Sequence, residues 1–337
     1  MTLRCTHISV RGRVVVAFST VARFSCRHVS LAVDEQLRLR NLVFQEHYAI
    51  ANASPDLEAQ RRYCAKMELK WIVEWAASHY AHDEKAFLTA VRKAVLERVD
   101  LHKPLSYILQ SHPFLGCDIL CRPPVLIPRP ETEEWTRWLI HRLVPHGNDE
   151  PAPISVLDLC CGTGCVGLAI AKRFDSARVV SLDLDATAVQ LTLENACRAG
   201  VNPDGGTARL RAAQSNMFDA LGPADRFDIL ACNPPYLYPE QVKALPKCIA
   251  RWESKLALTG DEEHRQPLGY YAAICDLAPR WLNRSVSKDI PNLIVEVGLQ
   301  AEQVAELFDR SSAWTETELH IDRWKEPRWV TAKLKEA

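Results

Sequence analysis

No apolar run in this 337-residue chain reaches the ~18 residues of a membrane-spanning helix, so no helical span is expected. An excess of one charge is equally lacking. There are 41 Lys and Arg against 42 Asp and Glu, a formal net charge of −1 and a pI near 6.8. Nothing therefore draws the whole chain onto nucleic acid or an anionic membrane. Internal repeats and low-complexity tracts are absent. The 12 cysteines include no Cys-x-x-Cys pair. Their tightest groupings, Cys117/Cys121 and Cys160/Cys161/Cys165, have neither metal-ligand spacing nor nearby histidines. No metal site is expected; the thiols read as small buried residues in a reducing compartment. One absence is local: residues 1–33 hold Arg4, Arg11, Arg13, Arg23 and Arg27 but no acid before Asp34 and Glu35. That composition predicts a mitochondrial transit peptide over 1–33. A secretory signal competes through the apolar Val14–Phe18, but Ser19, Arg23 and Arg27 interrupt it early.

What is present is ordinary for one or two globular domains: 47% hydrophobic, 25% charged, 13 Gly and 20 Pro. Residues 37–100 read as a small helical domain. Leu69, Ile72, Val73 and Ala76 share one helical face, and Phe87, Leu88, Val91 and Val95 another. Trp71 and Trp75 read as core or interface. Residues 101–130 read as a proline-rich linker. From 131 to 337 a catalytic domain is expected, opening on a helix with Trp135, Trp138, Leu139 and Leu143 inward.

Beyond Pro153 strands and helices alternate. ISVLDLCCG, ARVVSLDLD, TARLRAAQS, FDILAC and NLIVEVG read as strands, with helices between, and TETELHIDRW with RWVTAKL as a closing antiparallel hairpin. Such alternation predicts an α/β sheet, mostly parallel, binding its ligand at the carboxyl ends of the strands.

Three features fall at those ends. Gly162-Thr163-Gly164-Cys165-Val166-Gly167 is a GxGxxG turn, and Asp183 follows about 20 residues on, where a ribose-binding acid belongs. A dinucleotide oxidoreductase fits that much. Asp158 argues otherwise, because a carboxylate before the turn would repel a pyrophosphate and suit a cation. S-adenosylmethionine is cationic and has no phosphate.

The third feature is Asn233-Pro234-Pro235-Tyr236, where prolines force the chain out of the fourth strand. The Asn233 oxygen and the Pro234 carbonyl can accept both hydrogens of a substrate NH2, and Tyr236 can pack on its flat face. Two acceptors would orient a weak nucleophile and offset the positive charge that grows on its nitrogen.

PLSYIL (Pro104–Leu109), Phe114, VLIPRPETEEW (Val125–Trp135), DLCCGTG, NPPY and EVGLQ (Glu296–Gln300) occur in this order. Together they resemble the HemK/PrmC family, the glutamine N5-methyltransferases of peptide-chain release factors, over residues 65 to 335. CDILCRPPVLIPRPETEEW and WESKLALTGDEE are most similar to fungal mitochondrial members. The resemblance implies a Rossmann-like, seven-stranded class I methyltransferase sheet with a small N-terminal helical domain that holds the release factor. It implies S-adenosylmethionine as cofactor, held by Asp158, the turn Cys160, Cys161, Gly162, Thr163 and Gly164, by Asp183 on the ribose, by Asn216 and Met217 near the adenine, and by Asn233. The catalytic and substrate-binding residues would be Asn233, Pro234, Pro235 and Tyr236. The partner would be a mitochondrial class I release factor, through the glutamine of its GGQ loop, met in the matrix by a monomer. No stable nucleic-acid partner and no membrane are expected. Asn216 stands where many members have Asp, and Glu253-Ser254 replaces a more usual Glu-Pro. The alternatives are an N6-adenine DNA or exocyclic-amine RNA methyltransferase, which would add a basic reading domain, and a mitochondrial binding protein without a donor.

Overall fold

A computed structural model describes residues 33–43, 55–144, 153–201, 209–261, 268–284 and 290–335. The arginine-rich segment read as a presequence lies outside the described residues apart from Val33. The described chain as far as His112, together with Pro246–Trp252, forms one unit; Pro113–Leu245 and the chain from Glu253 onward form a second.

The first unit is helical: α1 (Val33–Val43), α2 (Pro55–Tyr80), α3 (Glu84–Asp100) and α4 (Leu105–Leu109). Asp83 starts α3 by accepting the Ala86 N–H at 2.9 Å. Leu69, Ile72 and Ala76 of α2 pack with Phe87, Val91 and Val95 of α3, while Val73 and Leu88 border that core half-buried. Trp71 is buried and Trp75 partly so. Arg98 grips Glu68 through two bonds of 2.9 and 2.8 Å inside this core. The segment read as a linker holds regular structure. Besides α4 it carries the hairpin β1 (His112–Phe114) and β2 (Cys117–Ile119), turned on Leu115 and Gly116 at positive φ. Its apolar residues Ile108, Leu109, Phe114 and Ile119 are buried, which an irregular linker would not achieve.

The second unit opens with α5 (Pro130–Leu143), whose Pro130 stands in the first turn beside Glu131 and Glu133. Trp135, Leu139 and Leu143 face inward, as do Thr132, Thr136 and Ile140; Trp138 is half-buried. Next come β3 (Ser155–Leu159), α6 (Cys165–Arg173), β4 (Arg178–Asp183), α7 (Ala186–Arg198), β5 (Leu210–Gln214) and β6 (Ile229–Cys232). Short helices α8 (Pro239–Lys243), α9 (Lys247–Ala250, in the helical unit) and α10 (Lys255–Thr259) precede α11 (Gly269–Leu277), β7 (Leu293–Glu296), α12 (Ala301–Arg310), β8 (Trp314–Ile321) and β9 (Pro327–Leu334).

The seven-stranded sheet has the order β5-β4-β3-β6-β7-β9-β8. Its first five strands are parallel; β9 runs antiparallel between β7 and β8. ILAC and LIVE are buried at every residue, as central parallel strands covered on both faces require. From β3 the chain winds through β4 and β5 on one side, then returns to β6 on the other, so the order reverses between β3 and β6. In register, Leu159 pairs with both Leu182 and Cys232, and Asp183 with Gln214. The turn after β3, the acid ending β4 and the prolines after β6 are therefore neighbours.

Candidate active site

The turn after β3 is built from left-handed backbone at Cys160 (φ 58°), Gly162 (φ 56°) and Gly164 (φ 75°). A Cβ on Gly164 would stand 2.6 Å from Thr192, and one on Gly167 2.8 Å from Val179, so both glycines let α6 approach its neighbours. Three N–H groups of the turn are spent within the protein. Cys161 donates to the Leu182 carbonyl at 3.0 Å, Gly162 to Asp183 at 2.8 Å and Gly164 to the Cys161 carbonyl at 2.7 Å. N–H groups so committed cannot cradle a pyrophosphate. This, rather than the charge of Asp158, disfavours the dinucleotide.

The two acids of this edge sit differently. Asp183, the last residue of β4, is half-buried; it accepts from Gly162 and from the Asp185 N–H at 2.9 Å. Burial pushes its carboxyl above the usual range, and those bonds pull it back. Asp158, expected to face the ligand, lies beneath the cleft instead. It is 2% exposed and accepts from the Gly167 N–H at 3.1 Å and the Ser181 hydroxyl at 3.3 Å. Burial raises its carboxyl to about 7, and the nearby charge of Asp183 pushes the same way. The reason is register. Asp158 lies within the ladder between Ser181 and Ala231, where side chains point to the faces of the sheet rather than off its end.

A cleft opens over these strand ends. Cys160, Gly162, Asp183, Asn216, Met217, Asn233 and Pro235 line it. Asp158, Cys161, Thr163, Gly164, Pro234 and Tyr236 do not. Cys161 is buried against the Thr192 hydroxyl at 3.5 Å, and burial keeps its thiol protonated. Thr163 lends its carbonyl to Asn195 at 3.0 Å. Cys160 and Met217 both hold positive φ at the rim, a strain of about 1 kcal/mol or more each. Val125, Leu126, Ser254, Leu256, Ala257, Asp261 and Tyr270, which the sequence did not assign to the site, also line the cleft. The two wall segments are joined: the Ser254 N–H donates to the Pro124 carbonyl at 2.7 Å, and Arg129 holds the buried Glu253 at 2.7 and 2.6 Å.

The hook after β6 is fastened from behind. Tyr236 donates its hydroxyl to Glu296 Oε1 at 3.2 Å, its carbonyl accepts from Gln300 at 3.1 Å, and its ring occupies the space a Cβ on Gly298 would need, 2.8 Å away. Glu296 ends β7 at 1% exposure; its Oε2 accepts from Thr132 Oγ1 at 2.5 Å and Trp135 Nε1 at 2.8 Å. Asn233 donates its Nδ2 to Thr132 Oγ1 at 3.2 Å. The phenol of Tyr236 is raised by burial and then by Glu296, so it stays protonated and is no base at neutral pH. Thr132, Trp135, Glu296 and Gln300 stand in quoted motifs, but their convergence on the hook is a long-range pairing that spacing does not encode.

This sheet order, with its ligand cleft at the switch point and an Asn-Pro-Pro-Tyr hook beside it, defines a class I methyltransferase. Residues 133–261 match the methyltransferase small domain family. The release factor glutamine methyltransferase of Geobacter sulfurreducens is 32% identical over 257 residues, 73% of this chain and 82% of its own. The chain belongs to the release factor glutamine methyltransferase family. It is also similar to the mitochondrial MRF1 N(5)-glutamine methyltransferase MTQ1 of Saccharomyces cerevisiae, 33% identical over 59% of this chain and 60% of that one. The human MTRF1L release factor glutamine methyltransferase is 31% identical over 58% of this chain and 55% of its own. The chain thus spans most of the bacterial relative's length and less than two thirds of the other two.

Proposed function

We propose that this chain transfers a methyl group from S-adenosylmethionine to the side-chain amide nitrogen, N5, of the glutamine in the GGQ loop of a mitochondrial peptide chain release factor. The observation that carries the proposal is that Asp183 and Asn233, from strand ends on either side of the switch point, line one cleft. The residues present fit the donor. Asp183 keeps lone pairs for ribose hydroxyls beyond its two backbone bonds, Met217 and Asn216 offer a surface and a polar edge for adenine, and no phosphate cradle is needed. When bound, the donor supplies an electrophilic methyl on a sulfonium.

The chain's own residues orient the nucleophile. Asn233 Oδ1 and the Pro234 carbonyl accept the two hydrogens of the glutamine amide, aligning its nitrogen and offsetting the positive charge that develops there. No strong base is required before transfer, since the nitrogen becomes acidic only afterwards. Val125, Leu126 and Leu256 give the cleft an apolar wall. Residues 1–33 would direct the chain to the mitochondrial matrix, the helices of 37–100 would hold the release factor, 101–130 would link them to the transferase and 131–337 would carry the chemistry. The protein would act as a monomer, without stable nucleic-acid binding.

The test is mass spectrometry of the GGQ peptide after incubating a mitochondrial release factor with the protein and S-adenosylmethionine, beside Asn233→Ala. One methyl on the glutamine, absent with the variant, is expected. An unmodified glutamine with donor demonstrably bound refutes the substrate and turns the search to exocyclic amines of nucleic acids.

A further inference from the structure

The cleft needs an acceptor at Asn233, yet an amide side chain has an acceptor end and a donor end of nearly equal shape. Something must decide which end faces the substrate. The hydrogen-bond chain behind the hook does so. Trp135 Nε1 can only donate, and it donates to Glu296 Oε2. Thr132 Oγ1 lies 2.5 Å from that same oxygen, and Tyr236 donates to Oε1. The donors Trp135 and Tyr236 favour the charged form of Glu296, which can only accept, and against that carboxylate the Thr132 hydroxyl points its hydrogen at Oε2. That hydroxyl has one hydrogen, now spent, so toward Asn233 it can only accept. Asn233 must therefore turn its NH2 to Thr132, the 3.2 Å bond, and its oxygen to the cleft.

We infer that Thr132 and Glu296 are positioning residues that set the polarity of Asn233, so that a substrate NH2 meets an acceptor rather than a second NH2. The flipped amide would oppose its oxygen to the lone pairs of Thr132 in a site where no water can compensate, since Thr132 and Glu296 are 3% and 1% exposed. Thr132 is itself held in place, because its carbonyl accepts from the Thr136 hydroxyl at 2.7 Å and it sits in the first turn of α5 behind Pro130. The Pro234 carbonyl needs no such control, having only one polarity. The inference rests on the proposed amide-methylating function for its kinetic consequence, but not for the orientation itself.

Two readouts on the full chain test it. The first is kinetic, with the release factor as substrate. Thr132→Val keeps the shape of the side chain and removes the relay. It should lower kcat about tenfold or more, the loss of one orienting hydrogen bond, with KM for the factor and the donor Kd within about threefold of wild type. Thr132→Ser should restore kcat to within about threefold, because it restores the hydroxyl. The second readout does not depend on the substrate: side-chain amide signals in asparagine-labelled protein. The Asn233 NH2 should exchange slowly with solvent in wild type and in Thr132→Ser, and fast in Thr132→Val. Retained kcat and slow exchange in Thr132→Val would overturn the inference. A loss of kcat that serine fails to restore, with donor affinity and thermal midpoint falling in step, would overturn it also, as that is mere unfolding. If wild type binds donor but leaves the glutamine bare, the substrate reading falls and the amide signals still decide the orientation.

Discussion

Asp158→Asn isolates the cost of a buried carboxylate under the donor turn. Asp158 is 2% exposed, with Oδ2 accepting from Gly167 and Ser181, and its carboxyl is raised from 3.8 to about 7, chiefly by burial. Because the folded value is above the unfolded one, the stability linked to this group is complete below the unfolded value. It is lost as pH rises to the folded value. The loss is about 1.4 kcal/mol per pH unit across that window, or about 4 kcal/mol in all. An asparagine can place its amide oxygen where Oδ2 sits and keep both bonds, without a charge. Whatever constant penalty its NH2 brings is the same at every pH, so the difference between pH 5 and pH 8 is the readout. Urea unfolding of both proteins should show the variant gaining about 3 kcal/mol on wild type between those two pH values. Parallel stability profiles would refute the reasoning, and would mean that Asp158 titrates normally or is reached by water. Donor affinity at pH 5 should change little, because the side chain does not line the cleft.

Asp183→Ala removes the acceptor offered to the ribose and leaves the Gly162 and Asp185 N–H groups without their partner. Donor affinity by calorimetry should fall at least about 100-fold, the upper worth of a single bond to a charged group, and an unchanged Kd would remove Asp183 from the donor site. Arg129→Met leaves the charge of Glu253, whose side chain is 1% exposed, supported by one long bond from the Ile127 N–H. Unfolding free energy should drop by about 3–5 kcal/mol. Asn195→Ala cuts three buried bonds, to the Leu120 N–H and carbonyl and to the Thr163 carbonyl. It should cost at least about 2 kcal/mol in urea and loosen the donor turn together with the cleft wall.

The sheet was legible because its strands are short apolar runs bounded by turn residues, FDILAC and NLIVEVG above all, with helix periodicity between them. The place of β9 between β7 and β8 was not, since a hairpin can join a sheet by either strand. At the site, what could be read were residues that follow a strand or end it. Asp183 is the last residue of β4 and Asn233 the first beyond β6, and both reach the cleft. Asp158 was misplaced by a single position: Leu159 still belongs to β3, so the acid faces α6 rather than the ligand. Thr132 and Glu296 show the other limit. Each sits in a recognisable motif, but only folding reveals that a helix start and a strand end far apart in the chain share one hydrogen.

Three carboxyls, Asp158, Asp183 and Glu296, end up at one edge of the sheet, and each is held above its ordinary range mainly by burial. Glu296 is committed to Thr132, Trp135 and Tyr236, but Asp183 and Asp158 lie in and under the donor cleft. A cation brought there favours their charged forms, so it must expel protons, and by linkage its affinity must fall as the solution is acidified. The donor carries both a sulfonium and an ammonium, and the ammonium titrates on its own near neutrality. S-adenosylhomocysteine has the same ammonium and carboxylate without the sulfonium. The sulfonium also acidifies the donor's own ammonium, so the charged fraction of each free ligand's ammonium at the working pH is subtracted before the two releases are compared. Calorimetry at pH 7 in buffers of different ionisation enthalpy should find a fraction of a proton more released by S-adenosylmethionine. The excess should shrink at pH 9, where Asp158 is already charged, and shrink also in Asp158→Asn. Equal release by the two ligands at pH 7 would show that the sulfonium does not feel these acids. The buried carboxylate would then be a cost the turn bears for packing alone.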